Sequence, residues 1–295
     1  MKLVTYKPRA SSAQLGAIVD NRVVNLAEAS GGALPNDMRA FLELGEEGLK
    51  IARRVATKKA AKESGVALGD VKLMAPITNP NKVIAIGLNY LDHIRESNAQ
   101  TPKIPIMFTK YTSAIIGDGD AIHWDPNETA KVDWEVELAV VIGKRAYRVS
   151  EDSVFDYVVG YTVCNDVSAR DLQSERGDQW IRGKSMDTFC PLGPCIVTKD
   201  EIADPHNLKL RTLVNGETMQ DSNTSELLFK IPHLVSYLSR AFTLLPGDVI
   251  ITGTPPGVGM GKKPPIFLKH GDVVSVEIDG IGKLTNPCVE DKQRD

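Results

Sequence analysis

Residues 132–143 read VDWEVELAVVIG, and this run constrains the fold more than any other stretch of the chain. Val132, Trp134, Val136, Leu138, Val140 and Ile142 are apolar at every second position, the period of a pleated strand. The other face carries Asp133, Glu135 and Glu137 and returns to apolar at Ala139 and Val141. Both faces are therefore apolar toward Gly143, which predicts an interior strand. Side chains two apart point the same way, so Glu135 and Glu137 stand side by side, about 7 Å apart at Cβ. Two adjacent carboxylates in a low-dielectric place cannot both stay ionised without a partner. Either a cation neutralises them, or the strand is an exposed edge whose acids keep it soluble.

The rest of the chain organises around this strand. Residues 1–72 read as a small N-terminal domain, with KLVTY and LGAIVDNRVVNL as strands and a turn at Asp20-Asn21. DMRAFLELGEEGLKIARRVATKKAAKES then reads as helix, broken near Gly45 and ending before Gly65. After the proline-bounded connector APITNP, residues 73–295 read as a larger domain in which strands dominate, with hairpin signals at Asn215-Gly216 and Asp279-Gly280. The expected class is mixed α/β and β-rich, a β-roll rather than a doubly wound sheet. With 295 residues, 42 % of them apolar, the chain can bury a large core.

Several function classes are excluded at this level. A net charge of −3 gives no polyanion-binding signal, and the one basic run, KKAAK, is followed by Glu63 as on a solvated helix face, so no nucleic-acid partner is expected. No apolar stretch is long enough to span a membrane, and MKLVTYKPRASS lacks the core of an export signal. Cys164, Cys190, Cys195 and Cys288 form no CxxC pair, so free thiols are expected. The expected location is the cytoplasm, with the mitochondrial matrix as the alternative.

Three further constellations can carry chemistry. Asp166 ends the strand-like run VVGYTVCND, and SARD after it reads as a capping box opening a short helix at Ser168. A hard divalent cation suits Glu135, Glu137 and Asp166, because Mg²⁺ and its relatives take oxygen ligands. His93 and Glu96 lie at i and i+3 on a helical turn, where a carboxylate can hold an imidazole in one tautomer as a general base; alone, the pair also reads as an ordinary exposed one. Lys184 stands between Gly183 and Ser185, either solvated or placed to stabilise an anion beside a metal. The glycine-rich PGDVIITGTPPGVGMGKK fits neither phosphate-binding pattern: Lys262 is followed by Lys263, and the glycines are spaced Gly257, Gly259, Gly261. It reads instead as a strand entering a tight loop that brings Thr252 and Thr254 to a small ligand.

Taken together, Glu-x-Glu on a strand, NDVSARDLQ, NYLDHIRE, GKSMDTFCPLGP and GDVIITGTPPGVG resemble the fumarylacetoacetate hydrolase superfamily over residues 75–287, in the family's order. VDWEVELAVVIGK, DTFCPLGPCIVTKDEIADPHNLKL and KPPIFLKHGD resemble the fumarylacetoacetate hydrolase domain-containing branch that includes mitochondrial oxaloacetate tautomerase. The resemblance implies a homodimer with a β-roll catalytic domain. It implies Mg²⁺ or Mn²⁺ on Glu135, Glu137 and Asp166, catalysis by His93, Glu96 and Lys184, and substrate contacts from Gln173, Thr254 and Lys110. Leu88 and Asn89 occupy the place where the classical hydrolase supplies an extra aspartate, so a three-carboxylate site is expected. The implied substrate is a 2-oxo or enol carboxylic acid. Keto–enol tautomerisation of oxaloacetate leads; acylpyruvate hydrolysis, decarboxylation and hydroxymuconate-type isomerisation are the alternatives. A catalytically silent metal-binding module is the non-enzymatic rival, and the His93–Glu96 pair with Lys184 argues against it.

Overall fold

The computed structural model describes residues 1–8 and 12–291. Among these, a twelve-stranded mixed sheet runs through the molecule. Its middle is built from β1 (Lys2–Pro8), β2 (Val83–Gly87), β3 (Ile106–Lys110), β4 (Val136–Ile142), β5 (Val158–Asn165), β6 (Cys190–Thr198) and β7 (Val249–Ile251). The spatial order is β1-β6-β5-β4-β7-β2-β3, so β4 is interior, flanked antiparallel by β5 and β7. The strands Gln14–Val19 and Arg22–Asn25 extend the sheet beyond β1, joined through Asp20 and Asn21, both at positive φ. A second, five-stranded sheet contains the Lys209–Val214/Glu217–Asn223 hairpin, whose Asn215-Gly216 turn has φ of 52° and 84°. Two positive φ values at the centre of a two-residue turn match the right-handed twist of its strands.

The alternation of β4 maps onto two cores. Val136, Leu138, Val140 and Ile142 pack with Leu210, Val276 and Leu284 of the second sheet, together with Leu234 and Leu238 of the helix Ile231–Ala241. Ala139 and Val141 face the opposite cluster, which holds Phe41, Leu42, Leu49 and Ala52 from the N-terminal helices. Among the described residues no helix is long and apolar enough to cross a membrane.

Three local expectations are corrected. The run 132–143 is not one strand: Val132–Asp133 pairs with Ser168–Ala169, and the main ladder begins only at Val136. Side chains take the intervening N–H groups, Trp134 N donating to Asp133 Oδ1 (2.8 Å) and Glu135 N to Asn165 Oδ1 (2.9 Å). No capping box opens at Ser168, whose hydroxyl donates to the Asp166 carbonyl (2.9 Å); a π-type turn follows at Asp171–Glu175. The N-terminal helical run breaks twice, giving Met38–Glu43, Gly45–Val55 and Lys58–Ser64. Gly45 at φ +58° makes the first break, and Thr57 makes the second by capping Ala60 N (3.1 Å).

Leu138 is fully buried at the centre of this arrangement. Leu138→Ala should lower unfolding free energy by about 2–5 kcal/mol. Leu44→Ala, at a 44 % exposed position, should stay within about 1 kcal/mol. Urea midpoints at constant m-value distinguish the two outcomes.

Candidate active site

The break before β4 builds the site. Glu135 lies in the break and Glu137 inside the ladder, while Asp166 follows the end of β5, its N–H donating to the Glu135 carbonyl (2.9 Å). Pairing of Val136 with Asn165 brings the three acids together. One carboxylate oxygen from each lies within 4.8 Å of the others, and all three residues are buried. The exposed-edge reading of the Glu pair is thereby excluded. The donor set is all oxygen and converges from three positions, as a hard divalent cation requires.

The charges are compensated at close range. Lys184 Nζ stands 2.7 Å from Glu135 Oε2 and 2.7 Å from Asp166 Oδ2. Lys110 Nζ pairs with Asp166 Oδ1 and also donates to the Val167 carbonyl (3.1 Å). Arg170 holds Glu135 Oε1 at 2.7 Å. Burial alone would raise the Glu135 carboxyl, but Lys184 and Arg170 outweigh it and hold it at about 2. Glu137 goes the other way: burial, then the charges of Asp166 and Glu135, push it well above the usual carboxylate range. Its Oε2 accepts the Gly253 N–H (2.6 Å). Lys184 ends the short helix Trp180–Lys184, which presses against residues 169–173. A Cβ on Gly183 would lie 2.6 Å from Gln173 N and 2.7 Å from Ala169 O.

A cavity of about 180 Å³ opens onto this cluster, with Glu135, Glu137, Arg170, Gln173, Lys184 and Thr254 as its polar lining. Ile86, Leu88, Phe108, Trp180 and Met260 supply an apolar wall. Lys110 is not on the wall; it lies behind Asp166 and holds that carboxylate in place. His93 and Glu96 stand outside the lining on the helix Leu91–Ser97, with Nδ1 3.2 Å from Oε2. They are near enough that a charged His93 favours ionised Glu135. Glu96 also accepts the Gly257 N–H at 3.1 Å and 3.3 Å, which ties the pair to the glycine loop. Gly257 sits at φ +97°, and a Cβ there would be 2.1 Å from the Met219 carbonyl.

Sequence reasoning missed three polar residues here. Asp133, read only as part of the alternation, is fully buried and accepts from Arg170 Nε (2.8 Å), Gly259 N (2.6 Å) and Met260 N (3.0 Å). Arg170, inside SARD, extends to Gln173 Oε1 (3.0 Å) as well as Glu135. Gln220 donates to Thr254 Oγ1 (2.9 Å) from the second sheet. Asn89 is committed elsewhere: Nδ2 donates to the carbonyls of Thr252 (2.8 Å) and Phe229 (3.1 Å), and Oδ1 accepts Phe229 N (2.8 Å).

Comparison with known proteins gives the family of the chain. The family described as fumarylacetoacetate (FAA) hydrolase C-terminal matches residues 82–289. A Xenopus laevis protein named oxaloacetate tautomerase, mitochondrial, is 49 % identical over 98 % of this chain and 90 % of its own length. The solved structure of fumarylacetoacetate hydrolase from Exiguobacterium antarcticum superposes with a TM-score of 0.85 at 35 % identity, covering 99 % of this chain and all of that one. Maleylpyruvate hydrolase from Sphingobium sp. SYK-6, in complex with manganese(II) and pyruvate, gives 0.78 at 30 % identity over the same shares. This chain is an enzyme of the fumarylacetoacetate hydrolase family.

Proposed function

We propose that the protein is an oxaloacetate keto–enol tautomerase dependent on Mg²⁺ or Mn²⁺. The observation that carries the reading is the triad of buried carboxylates, two of which line a small cavity, with a His–Glu pair outside that lining. Glu135, Glu137 and Asp166 would hold the ion, which when bound polarises the 2-oxo group and acidifies the neighbouring carbon. Glu96 accepts a hydrogen bond from Nδ1–H of His93, so the Nε2 lone pair is free to accept a C3 proton and return it to oxygen. Lys184 keeps an ammonium beside the developing negative charge; burial pulls its pKa down, but Asp166 and Glu135 raise it overall. Gln173 Oε1 is spent on Arg170 (3.0 Å), which turns its NH₂ into a donor for a substrate carboxylate. Lys110 would act on the substrate only through Asp166. The Xenopus relative's name supports oxaloacetate as substrate. The apolar wall favours a second reading, C–C hydrolysis of acylpyruvates, because it can house an acyl group at C4.

We further read the chain as a homodimer, residues 1–72 as a small N-terminal domain and residues 73–295 as the catalytic one. Four buried free cysteines suit a reducing compartment, the cytoplasm or the mitochondrial matrix. Light scattering should return about twice the protomer mass of 32.1 kDa; a protomer mass at micromolar concentration would refute the dimer.

The reaction is tested by following enzyme and Mg²⁺ on oxaloacetate and acetylpyruvate, with enol absorbance and pyruvate read separately. Enol loss without pyruvate is the expected result. Rapid acetylpyruvate cleavage with no effect on the oxaloacetate enol would select the hydrolase instead.

Roles within the site separate by mutation. Glu135→Ala and Glu137→Ala should each abolish metal binding by calorimetry together with turnover, since Mg²⁺ dehydrates reluctantly for an incomplete ligand set. His93→Ala should keep the metal and lose about 10²–10⁴-fold in kcat. Stoichiometric metal in both Glu variants, or undiminished kcat in the His93 variant, would remove the assignment concerned.

A further inference from the structure

Gln220 is 1 % exposed and lies on Glu217–Asn223, where the register against the neighbouring strand slips between Thr212 and Leu213. Its amide is fully used. Oε1 accepts from Val136 N (3.0 Å) and Thr212 Oγ1 (2.6 Å), and Nε2 donates to Thr254 Oγ1 (2.9 Å) and the Pro255 carbonyl (2.8 Å). The orientation of this amide is forced, because a backbone N–H can only donate and a carbonyl can only accept. Thr254 Oγ1 must therefore accept from Gln220. Its own proton goes to the Val136 carbonyl (3.0 Å). A hydroxyl has one proton and two lone pairs. With the proton and one lone pair committed, what Thr254 offers the cavity is a single lone pair.

We propose that the Gln220 amide and the Val136 carbonyl together fix Thr254 as a hydrogen-bond acceptor, so that this subsite selects a ligand oxygen carrying a proton. The inference rests on the reading of the cavity as a metal-assisted site for 2-oxo acids, and deepens it by naming the form recognised. An enol or hydroxyl O–H meets the free lone pair and is satisfied. A ketone or carboxylate oxygen at the same place meets a lone pair with its own and leaves both unpaired, which costs binding free energy in a buried site. The site therefore favours the enol tautomer or a 2-hydroxy acid over the keto form at this position. Gln220 is a positioning residue that occupies one lone pair of Thr254, while the Val136 carbonyl holds the hydroxyl proton.

The test is calorimetry of the Mg²⁺-loaded protein with glycolate, which carries an O–H, and oxalate, which offers acceptors only. Thr254→Val should lower the glycolate-to-oxalate affinity ratio about 3–10-fold, the worth of one hydrogen bond. Thr254→Ser, which keeps the hydroxyl, should restore the wild-type ratio. Gln220→Met frees a second lone pair on Thr254 while its proton stays on the Val136 carbonyl, so the ratio should not fall, and a fall would overturn the inference; the two Thr254 variants decide the matter if this one does not fold. An unchanged or raised ratio in Thr254→Val would mean that Thr254 donates to ligand or does not touch it, and would overturn the inference alone. Failure of the wild type to bind either ligand with Mg²⁺ would overturn the inference together with the reading of the cavity.

Discussion

Four carboxylates sealed in one interior set the terms for the rest of this molecule. Asp133, Glu135, Glu137 and Asp166 are all buried, and among the described residues only Lys110, Arg170 and Lys184 are buried with them as bases in direct contact. Four acids against three bases leave an excess of one negative charge, and the strain falls on Glu137, the acid with no cationic partner in hydrogen-bonding contact and a pKa pushed upward. Burial of unpaired charge is among the costliest things a fold can do. Under the proposed function, a divalent cation turns the excess into one positive charge, and a substrate carboxylate returns the sum to zero. The electrostatics of the cavity thus suit the ion and the acid together better than either alone.

That cluster exists because the backbone gives up regular pairing where the site begins. The N–H groups of Trp134, Glu135 and Val136 go in succession to Asp133, Asn165 and Gln220 side chains. Each of these acceptors lies in or beside the site. The ladder resumes at Val136 and runs regularly through Val141. A buried strand cannot leave three N–H groups unsatisfied, so the residues that interrupt the strand are as necessary to the fold as to the chemistry. Asp133 reaches furthest, because it also fastens Gly259 and Met260 of the glycine loop.

The parts of this that were legible in the sequence are those with a local period or spacing. Acids on an otherwise apolar alternation marked Glu135 and Glu137, a strand end marked Asp166, and an i, i+3 spacing marked His93 and Glu96. The helix Ile231–Ala241 passed unnoticed although Ile231, Leu234, Val235 and Leu238 carry the i, i+3, i+4, i+7 signal, all buried. Asp133, Arg170 and Gln220 were not legible for a different reason. The contacts that place them span the chain, 37 residues for Arg170–Asp133, 84 for Val136–Gln220 and 126 for Gly259–Asp133, and no spacing rule connects them. Lys110 entered only through family resemblance, and its burial behind Asp166 is a fact of tertiary packing.

Asn89, with Leu88, lies in the stretch where the resemblance to the classical hydrolase led to an extra aspartate being expected, and its side chain is spent on Thr252 and Phe229. It joins the end of β2 to the loop that leads to Thr254 and to the approach of the helix Ile231–Ala241. An aspartate at 89 would offer two acceptors to two carbonyls and add a fifth buried acid to a cluster already short of bases. Asn89→Asp would therefore break the joint that the amide holds in the same change that added the acid. One atom's difference, oxygen for nitrogen, separates a clasp of the scaffold from an uncompensated charge inside it.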